Sequence, residues 1–187
     1  MRRSAFLVFF LFALSIAVSR SQVVESAEKR GLTIDAGGMA SGFDPDWGGN
    51  NKLVGAGTYV DVHFTHWIQI EAEGRWLYWN NFEKEKQSNY LIGPRVPLKR
   101  WRKWNFYGKA LVGQARMTFP SFSRYNYLFS YDSATCADVA FGGTVDYRLS
   151  RKLTVRAADF EYQYFPNLVY KPLKPYGLSM GIAYRVF

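Results

Sequence analysis

Residues 59–79 of this sequence, YVDVHFTHWIQIEAEGRWLYW, alternate between apolar and polar side chains in two successive runs. Because neighbouring side chains of a β-strand point to opposite faces of the sheet, each run predicts a strand with one apolar face and one charged face. The connection between the runs is about two residues long, which predicts a β-hairpin. This pattern alone leaves open which face of the hairpin lies inside the protein.

Eight segments along the chain share this alternation, and none of them carries a sustained helical pattern. They are 31–43, 52–64, 66–79, 88–98, 104–119, 134–149, 152–165 and 176–187. Long connections alternate with short ones, and the short ones are Thr65, 99–103 and 150–151. Loops on one rim and tight turns on the other predict an all-β fold, namely an eight-stranded antiparallel up-and-down β-barrel with both chain ends on the tight-turn rim.

The predicted strands are long for a soluble protein. Most segments span about 11 to 16 residues, whereas soluble strands are commonly about 5–6 residues long, and a tilted strand crosses a bilayer in about 9–11. The mean hydropathy of −0.20 is that of a soluble chain, but strict alternation cancels in such an average. The lengths therefore predict a transmembrane barrel.

Aromatic residues gather near the ends of the apolar face, where they suit the two interfaces of a bilayer. We therefore predict that this face turns outward, toward lipid. The predicted lipid-facing and girdle residues are Phe64, Ile68, Ile70, Trp76, Tyr78, Trp101, Trp104, Phe141, Tyr162 and Tyr164.

The charged face would then line the lumen. The predicted lumen residues are Asp61, Glu71, Glu73, Arg75, Arg95, Lys109, Asp138, Asp146, Arg156 and Glu161. An eight-stranded barrel has an interior just wide enough for side chains to fill it, and unpaired buried charges are costly. Mutual pairing of these acids and bases predicts a closed polar plug instead of an open pore.

The seventh segment changes phase in its middle. Its apolar residues are odd-numbered at Leu153, Val155 and Ala157 and even-numbered at Phe160, Tyr162 and Tyr164. A β-bulge near Ala157 and Ala158 would return both sets to the outer face. The alternative places Asp159 against lipid, which is unfavourable at the bilayer midplane.

The first 21 residues have the features of a signal peptide. Arg2 and Arg3 precede an apolar run at 4–18, and small residues follow it. We predict a cleaved signal peptide at 1–21, a polar leader at 22–30 and the barrel at 31–187, with a retained membrane helix as the alternative. Cleavage would take three arginines from the net charge of +9 and leave +6, which favours anionic lipid or lipopolysaccharide as a partner over nucleic acid. The alternative is that this positive charge belongs to an ordinary solvent-exposed surface with no specific partner.

The segment FGGTVDYRLSRKLTVRAADFEYQYF, residues 141–165, resembles a recurrent hairpin pattern of the OmpA/OmpX-like small eight-stranded outer-membrane β-barrel family. The resemblance covers about residues 31–187 and implies a bacterial outer-membrane location with periplasmic chain ends. It also implies that Asp146 and Arg156 lie in the lumen. In this family a C-terminal aromatic residue is read by the barrel-assembly machinery, a role that would fall to Phe187, although Val186 puts Phe187 out of phase with the preceding apolar residues.

The sequence shows no constellation of catalytic or metal-binding groups. His63 and His66 flank Thr65 without a third nearby ligand, and no serine stands close to them as in the Ser/His pair of lipid A deacylases of this barrel class. Cys136, the single cysteine, has no nearby histidine and is expected to be a packed residue. No cofactor is predicted.

The sequence therefore predicts a non-enzymatic integral outer-membrane barrel that serves envelope structure or surface contact through its outer loops. Two basic or aromatic clusters stand out, LKRWRKW at 98–104 on the tight-turn rim and FSRYNYLFSY at 122–131 in the longest loop. The first is expected to anchor the rim in the interface, and the partner of the second is not identified. The alternatives are a soluble lipocalin-like carrier of a hydrophobic ligand, a lipid A-modifying enzyme and a narrow channel.

Overall fold

The structure is a computed structural model that describes residues 32–46, 52–65, 67–79, 85–118, 133–166 and 172–186. The predicted signal peptide (1–21) and leader (22–30) lie outside the described residues. Eight strands follow one another around a closed barrel. They are β1 (Thr33–Asp44), β2 (Leu53–His63), β3 (Gln69–Trp79), β4 (Lys86–Trp101), β5 (Trp104–Thr118), β6 (Ala134–Arg148), β7 (Leu153–Tyr164) and β8 (Tyr176–Arg185).

Each strand pairs antiparallel with the next, and β8 returns to pair with β1 from Asp35↔Arg185 to Asp44↔Tyr176. Closure gives every strand two neighbours, so the sheet has no open edge. The predicted eight-stranded up-and-down barrel is therefore confirmed. Within the described ranges, no helix is long and apolar enough to span a membrane.

The strand ends fall on two different rims. The turn rim carries the connections 64–68, 102–103 and 149–152, and the loop rim carries 45–52, 80–85, 119–133 and 165–175. Thr33 and Arg185, the first and last strand residues, both belong to the turn rim. The predicted alternation of connections is confirmed, and so is the placement of both barrel ends on the same rim.

Two of the predicted turns are wrong in detail. The fourth strand does not end at 98 but continues to Trp101, which pairs with Trp104, so Arg102 and Lys103 alone make the turn, with Arg102 at a φ of 54°. Thr65 is not a one-residue connection, because β2 ends at His63 and β3 begins at Gln69. The Thr65 hydroxyl accepts hydrogen bonds from the backbone N–H groups of Trp67 and Ile68 at 3.3 and 3.2 Å, which stabilises a wider turn.

The predicted bulge in β7 is confirmed. The pairing of β6 with β7 passes from Val145↔Ala158 to Asp146↔Arg156, which leaves Ala157 without a partner. The pairing with β8 shifts in the same place. Asp159 is consequently turned inward and is fully buried, so the alternative in which it faces outward is wrong.

A glycine on the inner face marks a close approach between strands. A Cβ atom on Gly113 would lie 1.9 Å from the backbone oxygen of Tyr90 in β4, whereas a Cβ atom on Gly42 would meet no atom within 4 Å. We expect Gly113→Ala to lower the free energy of unfolding by about 1–3 kcal/mol through overpacking. The control Gly42→Ala should leave it equal or raise it by up to about 1 kcal/mol, since it restricts the unfolded chain. Urea titrations of both variants check this, and equal stabilities would contradict the packing at Gly113.

Candidate functional site

The two faces of the barrel wall have opposite chemistry. Apolar side chains in the middle of the strands are exposed on the outer face, with 56% exposure at Val112, 57% at Phe141 and 56% at Ile182. Most of the predicted girdle residues are also exposed, and Trp76 and Trp104 are half-buried. Trp76 donates a hydrogen bond from Nε1 to the Tyr90 hydroxyl at 3.0 Å. The outer face is therefore a continuous apolar belt with aromatic residues among its members.

The inner face is charged and closed to solvent. All ten predicted lumen residues lie on it, and none is more than 6% exposed. Asp159 joins them, and together these eleven residues are called the lumen network. Its members come from six of the eight strands, β2 to β7.

Arg156 lies at the centre of the network. Its Nη2 atom donates to Asp61 Oδ2 at 2.9 Å and to Glu71 Oε2 at 2.8 Å, and its Nη1 atom donates to Asp159 Oδ2 at 3.2 Å. The guanidinium also stacks on the Tyr59 ring, 3.7 Å from its centroid. The planar fork of donors reaches three carboxylates while the flat face of the guanidinium stacks on an aromatic ring.

Arg95 makes a second branched contact toward the turn rim. It donates to Asp61 Oδ2 at 2.9 Å and to the Thr144 hydroxyl, and its Nη2 atom pairs with Asp146. Its guanidinium lies 3.8 Å from the centroid of the Tyr107 ring. Asp61 thus bridges the two arginines and connects β2 with β4 and β7.

Lys109 binds the carboxylates in the middle of the barrel. Its ammonium lies 2.9 Å from Glu71 Oε1, 2.9 Å from Asp159 Oδ2 and 3.5 Å from Glu73 Oε2, and it also pairs with Glu161. Oxygen atoms of Glu71, Glu73 and Asp159 approach one another closely enough to hold a metal ion. The Lys109 ammonium contacts all three carboxylates, so it supplies the positive charge that such a cluster requires.

Arg75 continues the network toward the loop rim. It pairs with both oxygens of Glu161 at 2.8 and 2.9 Å, a bidentate geometry, and lies 3.1 Å from Glu73. Its guanidinium stacks over the Phe43 ring at 4.4 Å. The aromatic ring separates this charge from the rim above it.

A layer of side-chain amides follows. Asn89 donates to Asp138 Oδ2 and Gln163 Oε1, and Gln87 donates to the Asn89 and Gln163 amide oxygens at 2.8 and 3.1 Å. Among the described residues, Asp138 forms no ion pair, so its partner here is a neutral amide instead of the cation expected from the sequence. Amide donors satisfy a buried carboxylate without a second buried charge.

Apolar side chains close the loop-rim end of the lumen. One cluster, from the first three strands, contains Phe43, Leu53 and Leu77. The other contains Ala115, Met117, Cys136, Phe165 and Leu173. Cys136 is a buried packing residue of this cap, as predicted.

The turn-rim end of the seam between β1 and β8 is tied by a smaller polar cluster. Arg185 donates to both oxygens of Asp35 at 2.9 and 3.1 Å, and His63 Nε2 lies 3.0 Å from Asp35 Oδ2. His63 therefore has a structural role as a partner of Asp35. His66, the loop segment 122–131 and Phe187 lie outside the described residues.

Sequence reasoning missed several members of the interior. The sequence places Asp159 inward only with the bulge in β7, and a pattern of charges alone does not identify the neutral residues. Gln87, Asn89 and Gln163 all stand on the inner phase of their strands. The same alternation that identified the charges would have identified them.

The architecture is that of the small eight-stranded outer-membrane β-barrels. The structure of Neisserial surface protein A superposes with a TM-score of 0.62 at 13% identity, covering 82% of this chain and 96% of that one. The N-terminal β-barrel domain of Pseudomonas aeruginosa OprF gives 0.53 at 10% identity, covering 83% and 99%. Ail, the attachment invasion locus protein of Yersinia pestis, in complex with the heparin analogue sucrose octasulfate, gives 0.51 at 15%, covering 82% and 97%. No protein-family model and no curated protein sequence matches the chain.

Proposed function

We propose that this chain is a non-enzymatic integral barrel of the bacterial outer membrane, with its turn rim in the periplasm and its lumen closed by side chains. The observation that carries the proposal is the inverted wall, with ion pairs buried inside and Val, Ile and Phe side chains exposed outside. Acyl chains of a bilayer would cover such an apolar belt, and barrel closure gives every strand a hydrogen-bonded neighbour on both sides.

The filled lumen supports a structural role over transport. Lys109 and Arg156 bridge carboxylates from opposite parts of the wall, and the apolar cap covers the network at the loop rim. Passage of an ion would require these buried pairs to separate. We therefore expect planar bilayers containing the protein to show no discrete conductance steps, and regular openings would favour the narrow channel.

The physiological role is proposed to be envelope structure or contact with a surface partner through the outer loops. A protein of this fold, Ail, has been solved with a heparin analogue, which supports surface binding as a function that such a barrel carries. Lipopolysaccharide and phospholipid would contact the apolar belt. Insertion by the barrel-assembly machinery, with Phe187 as its signal, stays a prediction.

The alternatives fit the interior less well. A lipocalin-like carrier needs an apolar cavity for its ligand, whereas fully buried Glu71, Arg75 and Arg156 occupy this one. A lipid A deacylase of this barrel class would need its histidine at the lipid A leaflet, whereas His63, the histidine within the described residues, lies on the turn rim and pairs with Asp35. Both observations favour the plugged, non-enzymatic barrel.

The proposal predicts a lipid environment for Ile70, although its neighbour Glu71 lies in the closed lumen. Ile70 is outward and Glu71 is fully buried. In the protein inserted into vesicles, a spin label at position 70 should be reached by oxygen and shielded from a water-soluble nickel complex. A label at outward Ile182 is the matched control and should behave like the label at 70. Exposure of position 70 to the nickel complex, or release of the protein by osmotic shock, would contradict the membrane assignment.

Folding into the membrane has an independent readout. A closed barrel resists detergent until it is heated, so the unheated protein should migrate differently on a gel from the boiled protein. The protein should also fractionate with the outer membrane. Recovery as a soluble periplasmic monomer would remove the proposal.

A further inference from the structure

The turn rim carries a band of exposed cations. Its seven members, from two neighbouring turns and the strand ends beside them, are Lys99, Arg100, Arg102, Lys103, Arg148, Arg151 and Lys152. In the described part of the chain, none of the seven is engaged in an ion pair. Within those described residues no carboxylate compensates their charges, and such a cluster of like charges attracts an external anion.

Backbone hydrogen bonds fix the cationic turns beside each other. The Arg148 N–H donates to the Lys103 carbonyl at 2.9 Å, and the Arg185 N–H donates to the Lys152 carbonyl at 2.8 Å. The Ser150 hydroxyl closes the second turn by accepting from the N–H groups of Lys152 and Leu153. The cations are thus carried by strand ends and tight turns, so binding has to order their side chains but not the backbone that carries them.

A cavity of about 380 Å³ lies among these turns and the end of β8. It is lined by Lys103, Arg148, Leu149, Ser150, Arg151 and Arg185. Arg185 forms an ion pair with Asp35. The other three cations of the lining, Lys103, Arg148 and Arg151, are therefore available to a ligand. The Ser150 oxygen accepts within the turn, so its proton remains available to a phosphate oxygen.

Exposed apolar residues set the depth of this cavity. Leu149 on its wall is 52% exposed, and Trp101, the last residue of β4 beside the adjacent turn, is 59% exposed. Such residues insert at a membrane interface, while lysine and arginine extend toward the headgroups. The cavity would therefore lie at the level of lipid phosphates.

We propose that this cavity binds the phosphate of an anionic glycerophospholipid from the leaflet on the turn side. Lys103, Arg148, Ser150 and Arg151, here called the phosphate cradle, supply the contacts. Arginine presents paired N–H donors to phosphate oxygens. The inference rests on the proposed membrane insertion, and it adds a lipid-binding site at a defined place on the rim.

The test uses the purified protein inserted into phosphatidylcholine bilayers at 0.15 M salt, with spin-labelled phosphatidylglycerol or phosphatidylcholine as the probe lipid. Electron spin resonance gives the fraction of each probe held at the protein. We expect the wild type to favour phosphatidylglycerol about fivefold, and the double variant Arg148→Gln, Arg151→Gln to show a ratio of about one. The matched control Lys99→Gln, Arg100→Gln removes equal charge from the same rim outside the cradle and should keep at least about a threefold preference.

Several outcomes would overturn the cradle. The first is a wild type without preference for phosphatidylglycerol, and the second is a control variant that loses as much of this preference as the cradle variant does. The third is displacement of the probe lipid by equimolar inorganic phosphate, which would make free phosphate the ligand. The heat-dependent gel shift is measured on the same samples. A protein that fails to insert overturns both proposals, whereas an inserted barrel without lipid preference overturns the cradle alone.

Discussion

Replacing Arg156 by methionine is expected to lower the free energy of unfolding by about 3–5 kcal/mol, because it leaves buried carboxylates without their cation. The guanidinium lies 2.9 Å from Asp61, 2.8 Å from Glu71 and 3.2 Å from Asp159. The lumen network holds four cations against seven carboxylates, so none of the remaining cations is spare. Urea titration of the protein in lipid vesicles, followed by tryptophan fluorescence, measures the change.

An exposed arginine provides the matched control for Arg156. Arg116 lies on the outer face and donates to the Ser133 hydroxyl at 2.9 Å. Arg116→Met should change the stability by no more than about 0.5 kcal/mol, as is usual for surface substitutions. If both variants unfold at the same urea concentration, the lumen network does not stabilise the barrel.

The second large effect is expected at the middle of the outer face. Val112 stands near the centre of β5 and is 56% exposed. Val112→Arg would place a cation among acyl chains near the bilayer midplane, which destabilises a membrane barrel by about 2–4 kcal/mol. The same unfolding titration in vesicles measures this loss.

The position along the strand is what distinguishes this prediction from a general effect of arginine. Thr118 shares the outward phase of Val112 but ends β5 at the loop rim. Thr118→Arg should therefore destabilise by no more than about 1 kcal/mol, because the side chain reaches the interface. In a soluble barrel both arginines would meet water, and a negligible effect at position 112 would refute the outward lipid face.

The amphipathic strands were predictable because their signal is local. A strand exposes alternate residues to opposite sides whatever its neighbours do, so the period of two located all eight strands. The same rule found the bulge at Ala157, since an extra residue is the local way to restore a phase. The alternation does not give the correct turn boundaries at Trp101 and Thr65, because cross-strand pairing and a side-chain hydrogen bond decide where the strands end there.

The depth and partner of each inner residue were not predictable from alternation. Lys109 meets Asp159, fifty residues away, because the strands tilt and shift register around the closed barrel. Asp138 meets the Asn89 amide for the same reason. The neighbouring positions of Lys103 and Arg148 likewise arise from the pairing of β5 with β6.

The sequence by itself determined which residues form strands and which side of the wall each one takes, because both follow from the geometry of a single extended chain. Only the tertiary structure decided which charges pair across the lumen, where the apolar cap closes it and which cations gather in the phosphate cradle. Those contacts join residues far apart in the chain, and their distances are fixed by the register, tilt and closure of the barrel as a whole.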